Sequence, residues 1–80
     1  MSNKELVRAK IAEILNCTVE RVTDDAVLID LVNSSFLLVE MVIELQEEFD
    51  VRFVQADMND VRTAGDLLDL TTSRMGGDER

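Results

Sequence analysis

Two serines in succession, Ser34 and Ser35, stand in the stretch "LVNSSFLLVEMV", directly before a strongly apolar run. A serine hydroxyl becomes a catalytic nucleophile only with a base beside it, most often histidine. The chain of 80 residues contains no histidine and one thiol, Cys17. Ser-His or Cys-His catalysis and the usual zinc sites therefore cannot be assembled within it, and a self-contained enzyme is not expected. Two tasks remain for the hydroxyls. One is to begin a helix, because a serine oxygen at the cap position accepts a free backbone N–H. The other is a functional role, which a serine at a helix start takes far less often than the cap. Only one of two neighbouring serines can be the cap. The second falls in the first turn, with its hydroxyl near solvent and the positive helix end.

Other chemistry-bearing residues are sparse. Asp24, Asp25 and Asp30 precede the serines, but they lack the D-x-D-x-D-G spacing of a calcium loop and read as solvated charge. Cys17 has no internal partner and reads as a small apolar filler, which fits a reducing cytosol. Eight basic residues against seventeen acidic ones give a net charge of −9. A surface so acidic repels nucleic acid and anionic lipid and attracts partners with basic patches. No Lys or Arg occurs between Arg21 and Arg52, the interval that holds the serines.

The N-terminus, "MSNKELVRAK", lacks the apolar centre of a signal peptide, and no apolar run approaches the length of a membrane span. The chain reads as a cytoplasmic, monomeric protein with no membrane or nucleic-acid partner. Its length suits a single small domain, here residues 1–73, with the Gly-containing end, 74–80, as a frayed tail.

The elements that must position the serines follow from periodicity. "SNKELVRAKIAEIL" opens with Ser2 and Glu5 in capping-box spacing and continues with Leu6, Ile11, Ile14 and Leu15, which predicts a helix over about residues 3–16. Residues 17–34 hold turn formers and isolated apolar side chains, and read as a long loop pinned to the core. A second helix is expected over about residues 35–49. A short turn follows near Ala56–Asp60, and Thr63 with Asp66 begins a last helix through about Leu70. The predicted fold is all-α: three main helices, one short one, and a long loop between the first two.

On the second helix, at about 100° per residue, Leu38, Met41, Val42, Leu45 and Phe49 form one apolar stripe toward the core. Phe36, Val39 and Ile43 lie on the opposite side, interleaved with Glu40, Glu44 and Glu47. That side is either buried by a central position in the bundle or left open as a docking face. Carboxylates without nearby cations favour docking, because buried ones would need partners.

The pattern as a whole resembles the acyl carrier proteins and their peptidyl and aminoacyl relatives, over about residues 4–72. In that family an Asp-Ser-Leu motif opens the second helix, and its serine carries 4′-phosphopantetheine. "LVNSSFLLVEMVIELQEEFDV" looks like that segment, and "VRTAGDLLDL" like the entry to the last helix. The resemblance implies attachment at Ser35, by a phosphopantetheinyl transferase using coenzyme A. Ser34 stands where the family has aspartate, and Phe36 where it has leucine. It also implies recognition by acyltransferases, acyl or aminoacyl ligases or ketosynthases, through Ser34, Phe36, Leu37, Val39, Glu40, Ile43, Glu44 and Glu47, extended by Asp57 and Asp60. Met58, Val61 and Ala64 would line a space that shelters an acyl chain. Polyketide or related specialised biosynthesis is the expected setting. An aminoacyl or peptidyl carrier, or an unmodified acidic module binding a basic partner through the same face, are the competing readings.

Overall fold

A computed structural model describes residues 2–75; Met1 and residues 76–80, and with them most of the expected tail, lie outside. The described chain is all-α. Helix α1 spans Asn3–Leu15, α2 Leu28–Val32, α3 Ser35–Phe49, α4 Gln55–Asn59 and α5 Ala64–Arg74, with a 3₁₀ turn at Val19–Arg21. Helix α1 packs on both α3 and α5, and α2 packs on α3.

Each long helix is started by local side-chain chemistry. Ser2 Oγ accepts from the amide of Glu5 at 3.2 Å. The Glu5 carboxylate does not complete the box; it pairs instead with Arg8 at 3.4 Å. Thr63 and Asp66 form both arms of theirs, with Asp66 N donating to Thr63 Oγ1 at 3.1 Å and Thr63 N donating to Asp66 Oδ2 at 3.2 Å. Asn16, Asn33 and Asp50 end α1, α2 and α3 in the left-handed conformation, with φ of 58°, 60° and 55°. Asn and Asp tolerate that conformation better than most residues because their short polar side chains bond locally.

The core joins Val7, Ile11 and Ala12 of α1, Val22 and Leu28 of the connection, Met41 and Leu45 of α3, and Ala64, Leu67 and Leu68 of α5. Val7, with 0% exposure, holds the core position expected of Leu6, which is 42% exposed. The reason is phase: Val7 and Ile11 are four residues apart and face the same neighbours, whereas Leu6 points one residue off that stripe. Cys17 packs against the core as a partly buried apolar group.

Two expectations about boundaries change. The connection between α1 and α3 is not a plain loop. Leu28 and Val32 are buried and close a five-residue helix, α2, that period alone could not reveal. The last helix runs a turn beyond Leu70, to Arg74, and Met75 packs on the core. The Arg74 guanidinium reaches Asp57 Oδ1 at 2.8 Å and the carbonyl of Arg52 at 3.0 Å, which ties that turn to α4.

The connection is also stitched to the start of α5. Ala64 N donates to the carbonyl of Ala26 at 2.8 Å, Gly65 N to that of Asp24 at 2.9 Å, and Leu28 N to that of Arg62 at 3.0 Å. A helix leaves its first amides without intrahelical acceptors, and here carbonyls of the connection satisfy two of them. Asp24 is held from the other side by Arg8 at 2.9 Å and Lys4 at 3.2 Å, while Arg8 also donates to the carbonyl of Val22.

These contacts set a pH dependence. Hydrogen bonding from Arg8, then from Lys4, holds the Asp24 carboxyl below its ordinary value of 3.8. Arg74 first, then the amide of Val54, lowers Asp57, and the amides of Arg62 and Thr63 lower Asp66. A carboxyl whose folded-state value is lowered stabilises the fold fully above its unfolded value and loses that effect as pH falls through the folded one. Protonation also relieves the repulsion of a chain carrying −9, an opposing effect best removed by comparison with a variant. The difference in melting temperature between wild type and Asp24→Asn is therefore expected to be largest near neutrality and to close below about pH 4. Thermal melts of both proteins across that range check it; a gap that stays constant in acid would assign no role to the ionised carboxylate.

Candidate functional site

The turn from α2 into α3 builds the site. Asn33, at φ 60°, reverses the chain, and its N–H bonds back to the carbonyl of Ile29 at 2.8 Å. Ser34 follows in extended conformation, with φ −162° and ψ 129°, and is the cap: its Oγ accepts from Leu37 N at 3.4 Å. Its carbonyl accepts the first intrahelical bond, from Leu38 N at 3.0 Å. Ser35 is then the first helical residue, and it is exposed. Ser34 holds the helix and Ser35 is left over.

Ser34→Ala is expected to cost about 1 kcal/mol, the usual worth of a helix cap. Chemical unfolding of the variant measures it; an unchanged midpoint would mean that another group caps α3.

The electrostatics at Ser35 suit an anion. Fifteen residues of α3 point their positive end at it, and its first turn contains no acidic side chain to neutralise that field. The same lack of a neighbouring carboxylate, with no histidine in the chain, means that Ser35 has no base beside it in its own turn.

Beyond Ser35, α3 buries Met41, Val42 and Leu45 and packs Leu38 and Phe49 partly against the core, the stripe expected of it. The opposite side is open. Phe36 is 68% exposed, Val39 56%, Ile43 49% and Leu37 47%, and Glu40, Glu44 and Glu47 stand exposed among them. Among the described residues no element covers Phe36, Val39 or Ile43, so this helix is not buried all round by them.

The other residues expected at the surface divide. Asp60 is exposed at the end of α4. Asp57 is not a free carboxylate of that surface. Its side chain is 16% exposed, bonds Arg74, and accepts from Val54 N at 2.9 Å to start α4. An acid at the third position of a short helix is drawn to the helix's own amides, so its charge is spent locally.

Val61 lines an apolar cleft with Val27, Leu28, Ile29, Leu38 and Thr63, whereas Ala64 is fully buried in the core and Met58 lies off the cleft. Val27 and Ile29, 41% and 43% exposed, are site-side residues that periodicity passed over because they lie in the connection. Asn33 was also missed. An asparagine just before a helix cap is a signal for the end of a preceding helix, and it was available.

The described residues form an all-α domain with one exposed serine, not engaged as a cap, at the start of an acidic helix. Comparison with known proteins identifies the class. The family described as "Phosphopantetheine attachment site" matches residues 5–71. "Polyketide-8 synthase acyl carrier protein 2" of Streptomyces avermitilis is 32% identical over 75 residues, 92% of this chain and 86% of that protein. "Acyl carrier protein" of Thermotoga maritima is 32% identical over 71 residues, 88% of each. The chain belongs to the acyl carrier protein family, whose domain is the site of covalent 4′-phosphopantetheine attachment. Among the described residues no helix is long and apolar enough to cross a membrane, and no cluster of His, Cys, Asp and Glu is arranged to hold a metal.

Proposed function

We propose that the chain carries acyl groups as thioesters on 4′-phosphopantetheine joined to Ser35, and presents them to partner enzymes of polyketide or related biosynthesis. The observation that carries this reading is the division of labour between the serines: Ser34 is committed to the cap, so the exposed Ser35 hydroxyl is free at the helix end where a phosphodiester is best accommodated. The arm, when attached, supplies a terminal thiol for the thioester. Ser35 supplies the oxygen of the phosphodiester and loses its proton. No base stands beside it in the first turn, so the phosphopantetheinyl transferase must accept that proton while the remainder of coenzyme A departs as its nucleotide.

The exposed side of α3 is the surface on which transferase, acyltransferase, ligase or ketosynthase would dock. Phe36, Val39 and Ile43 give apolar contact, and Glu40, Glu44 and Glu47 steer basic partners, with Asp60 at the margin. The polyketide setting takes its support from the Streptomyces relative, named as a carrier of such a synthase.

The test is intact-protein mass after incubation with coenzyme A, magnesium and a phosphopantetheinyl transferase. Wild type and Ser34→Ala are each expected to gain one phosphopantetheine, and Ser35→Ala none. Further incubation with malonyl-coenzyme A and a malonyl transferase should then add one malonyl group to the arm. Gain by Ser35→Ala but not by Ser34→Ala would move the site to Ser34. No gain by any protein, with the native transferase as well, would leave an unmodified acidic docking module.

A further inference from the structure

The apolar cleft bordered by Val27, Ile29 and Val61 measures about 530 Å³, within the range of small-molecule pockets. Leu28, 1% exposed, is its most deeply buried lining residue, and Leu38 reaches it from α3. Leu38 stands three residues after Ser35, hence one turn along the same side of the helix. The backbone of the cleft wall is already paired. Val27 and Thr63 face each other in an antiparallel bridge, with Leu28 N bonded to the carbonyl of Arg62 at 3.0 Å and Ala64 N to that of Ala26 at 2.8 Å. The Thr63 hydroxyl is engaged by Asp66 N at 3.1 Å. Arg62 differs from these. It lines the cleft yet is exposed, so it stands at the mouth. Among the described residues its guanidinium makes no ion pair. Asp66, one turn on, accepts from the amides of Arg62 and Thr63 instead, at 3.1 and 3.2 Å. The cleft is thus apolar at its floor, with one uncommitted cation at its mouth.

We propose that Arg62 selects the cargo: a 3-oxoacyl chain, with its keto oxygen on the Arg62 guanidinium and its hydrocarbon end over Leu28 and Leu38, is preferred to a saturated chain. The assignment rests on attachment at Ser35, as proposed above. The order of polar and apolar groups in the cleft decides the class. A chain that enters past Arg62 meets the cation with the carbons nearest its thioester and the apolar floor with those farther along. A saturated chain of equal length covers the floor as well, but it displaces water from the guanidinium donors and offers them no acceptor. A malonyl group offers oxygens but has no hydrocarbon to cover the floor. The planar guanidinium, with several N–H donors in one plane, can meet a keto oxygen and the neighbouring thioester carbonyl together.

The test loads Ser35 by a phosphopantetheinyl transferase with coenzyme A analogues in which an amide replaces the thioester, so that the chain stays attached: octanoyl, 3-oxo-octanoyl and malonyl. Nuclear Overhauser contacts from the chain to the methyl groups of Val27, Ile29, Leu38 and Val61 measure the sheltered fraction. The Arg62 Nε–H resonance reports the bond to the cargo. The ratio of sheltered to open chain is expected to be roughly tenfold higher for 3-oxo-octanoyl than for octanoyl, the effect of one hydrogen bond to a charged group. Arg62→Met, which keeps an apolar stem without donors, should abolish the difference. Arg52→Met, which removes an exposed cation outside the cleft, should preserve it. Equal sheltering of the two chains, a preference that survives Arg62→Met, or an Arg62 Nε–H shift as large with malonyl would each overturn the proposal. Unchanged intact mass with every analogue would overturn the attachment at Ser35 as well, whereas a loaded protein with equal sheltering overturns the choice of cargo alone.

Discussion

Ser35→Ala is expected to fold and melt like the wild type and yet to accept no phosphopantetheine, so that no acyl group is ever carried. The two halves of this result have separate causes. Stability is insensitive because Ser34, not Ser35, bonds the amide of Leu37, and because alanine is at least as good a helix former as serine at an exposed first-turn position. The change should stay within about 0.5 kcal/mol, as for most surface substitutions away from caps and cores. Loading is all or none, because the transferred group needs an oxygen that alanine lacks. Circular dichroism and thermal melting report the first half, and intact mass the second. A Ser35→Ala protein that loses cooperative melting would show that the hydroxyl is structural, and the loss of loading would then say nothing about attachment.

Gly65→Val, outside the site, should be strongly destabilising, because Gly65 lies in α5 with the connection between α1 and the serines packed against it. A Cβ at position 65 would stand 2.7 Å from the carbonyl oxygen of Asp24 and 3.1 Å from the Asp24 Cβ. The same carbonyl accepts from Gly65 N at 2.9 Å, so the backbone atoms that would have to yield are those that hold the connection down. Moving them also disturbs Asp24 against Arg8 and Lys4, and the adjoining bond from Ala64 N to the carbonyl of Ala26. Overpacking against backbone, with one buried bond lost, should cost about 3 kcal/mol for valine. In a domain of this size that lowers the melting temperature by roughly 15 °C. Alanine should cost less, because its clash is partly offset by about 1 kcal/mol of better helix propensity. Urea unfolding of the two variants checks the order, and a Gly65→Val protein as stable as wild type would contradict the close approach of the connection to α5.

The Gly65 contact also bears on function. The connection held at Asp24 and Ala26 leads through Leu28 and Val32 to Asn33, Ser34 and Ser35. A loosened connection is expected to slow loading at Ser35 even where the fold survives.

Much of this was legible along the chain, because the interactions concerned are short in sequence. Caps at Ser2 and Thr63 join residues three apart. The start of α3 at Ser35, its end at Phe49 and its core stripe follow from period alone, and lack of histidine bars Ser-His chemistry wherever the residues fall. The two serines count as one cap and one spare from the sequence alone, although their order rests on family likeness. Contacts between distant residues were not legible. Helix α2 exists because Leu28 and Val32 find a core, although five residues are too few to show a period. Val7 displaces Leu6 through its match to the facing helices. Asp57 turns from a surface charge into a local cap and ion pair only once Arg74 is brought beside it, 17 positions away. Gly65 is required by a carbonyl 41 residues earlier, and Arg62 shares a cleft with Leu38 only once the segment before α5 lies beside α3. Local hydrogen bonding and periodicity are written in neighbouring residues; packing is a property of surfaces that meet only after the chain has folded.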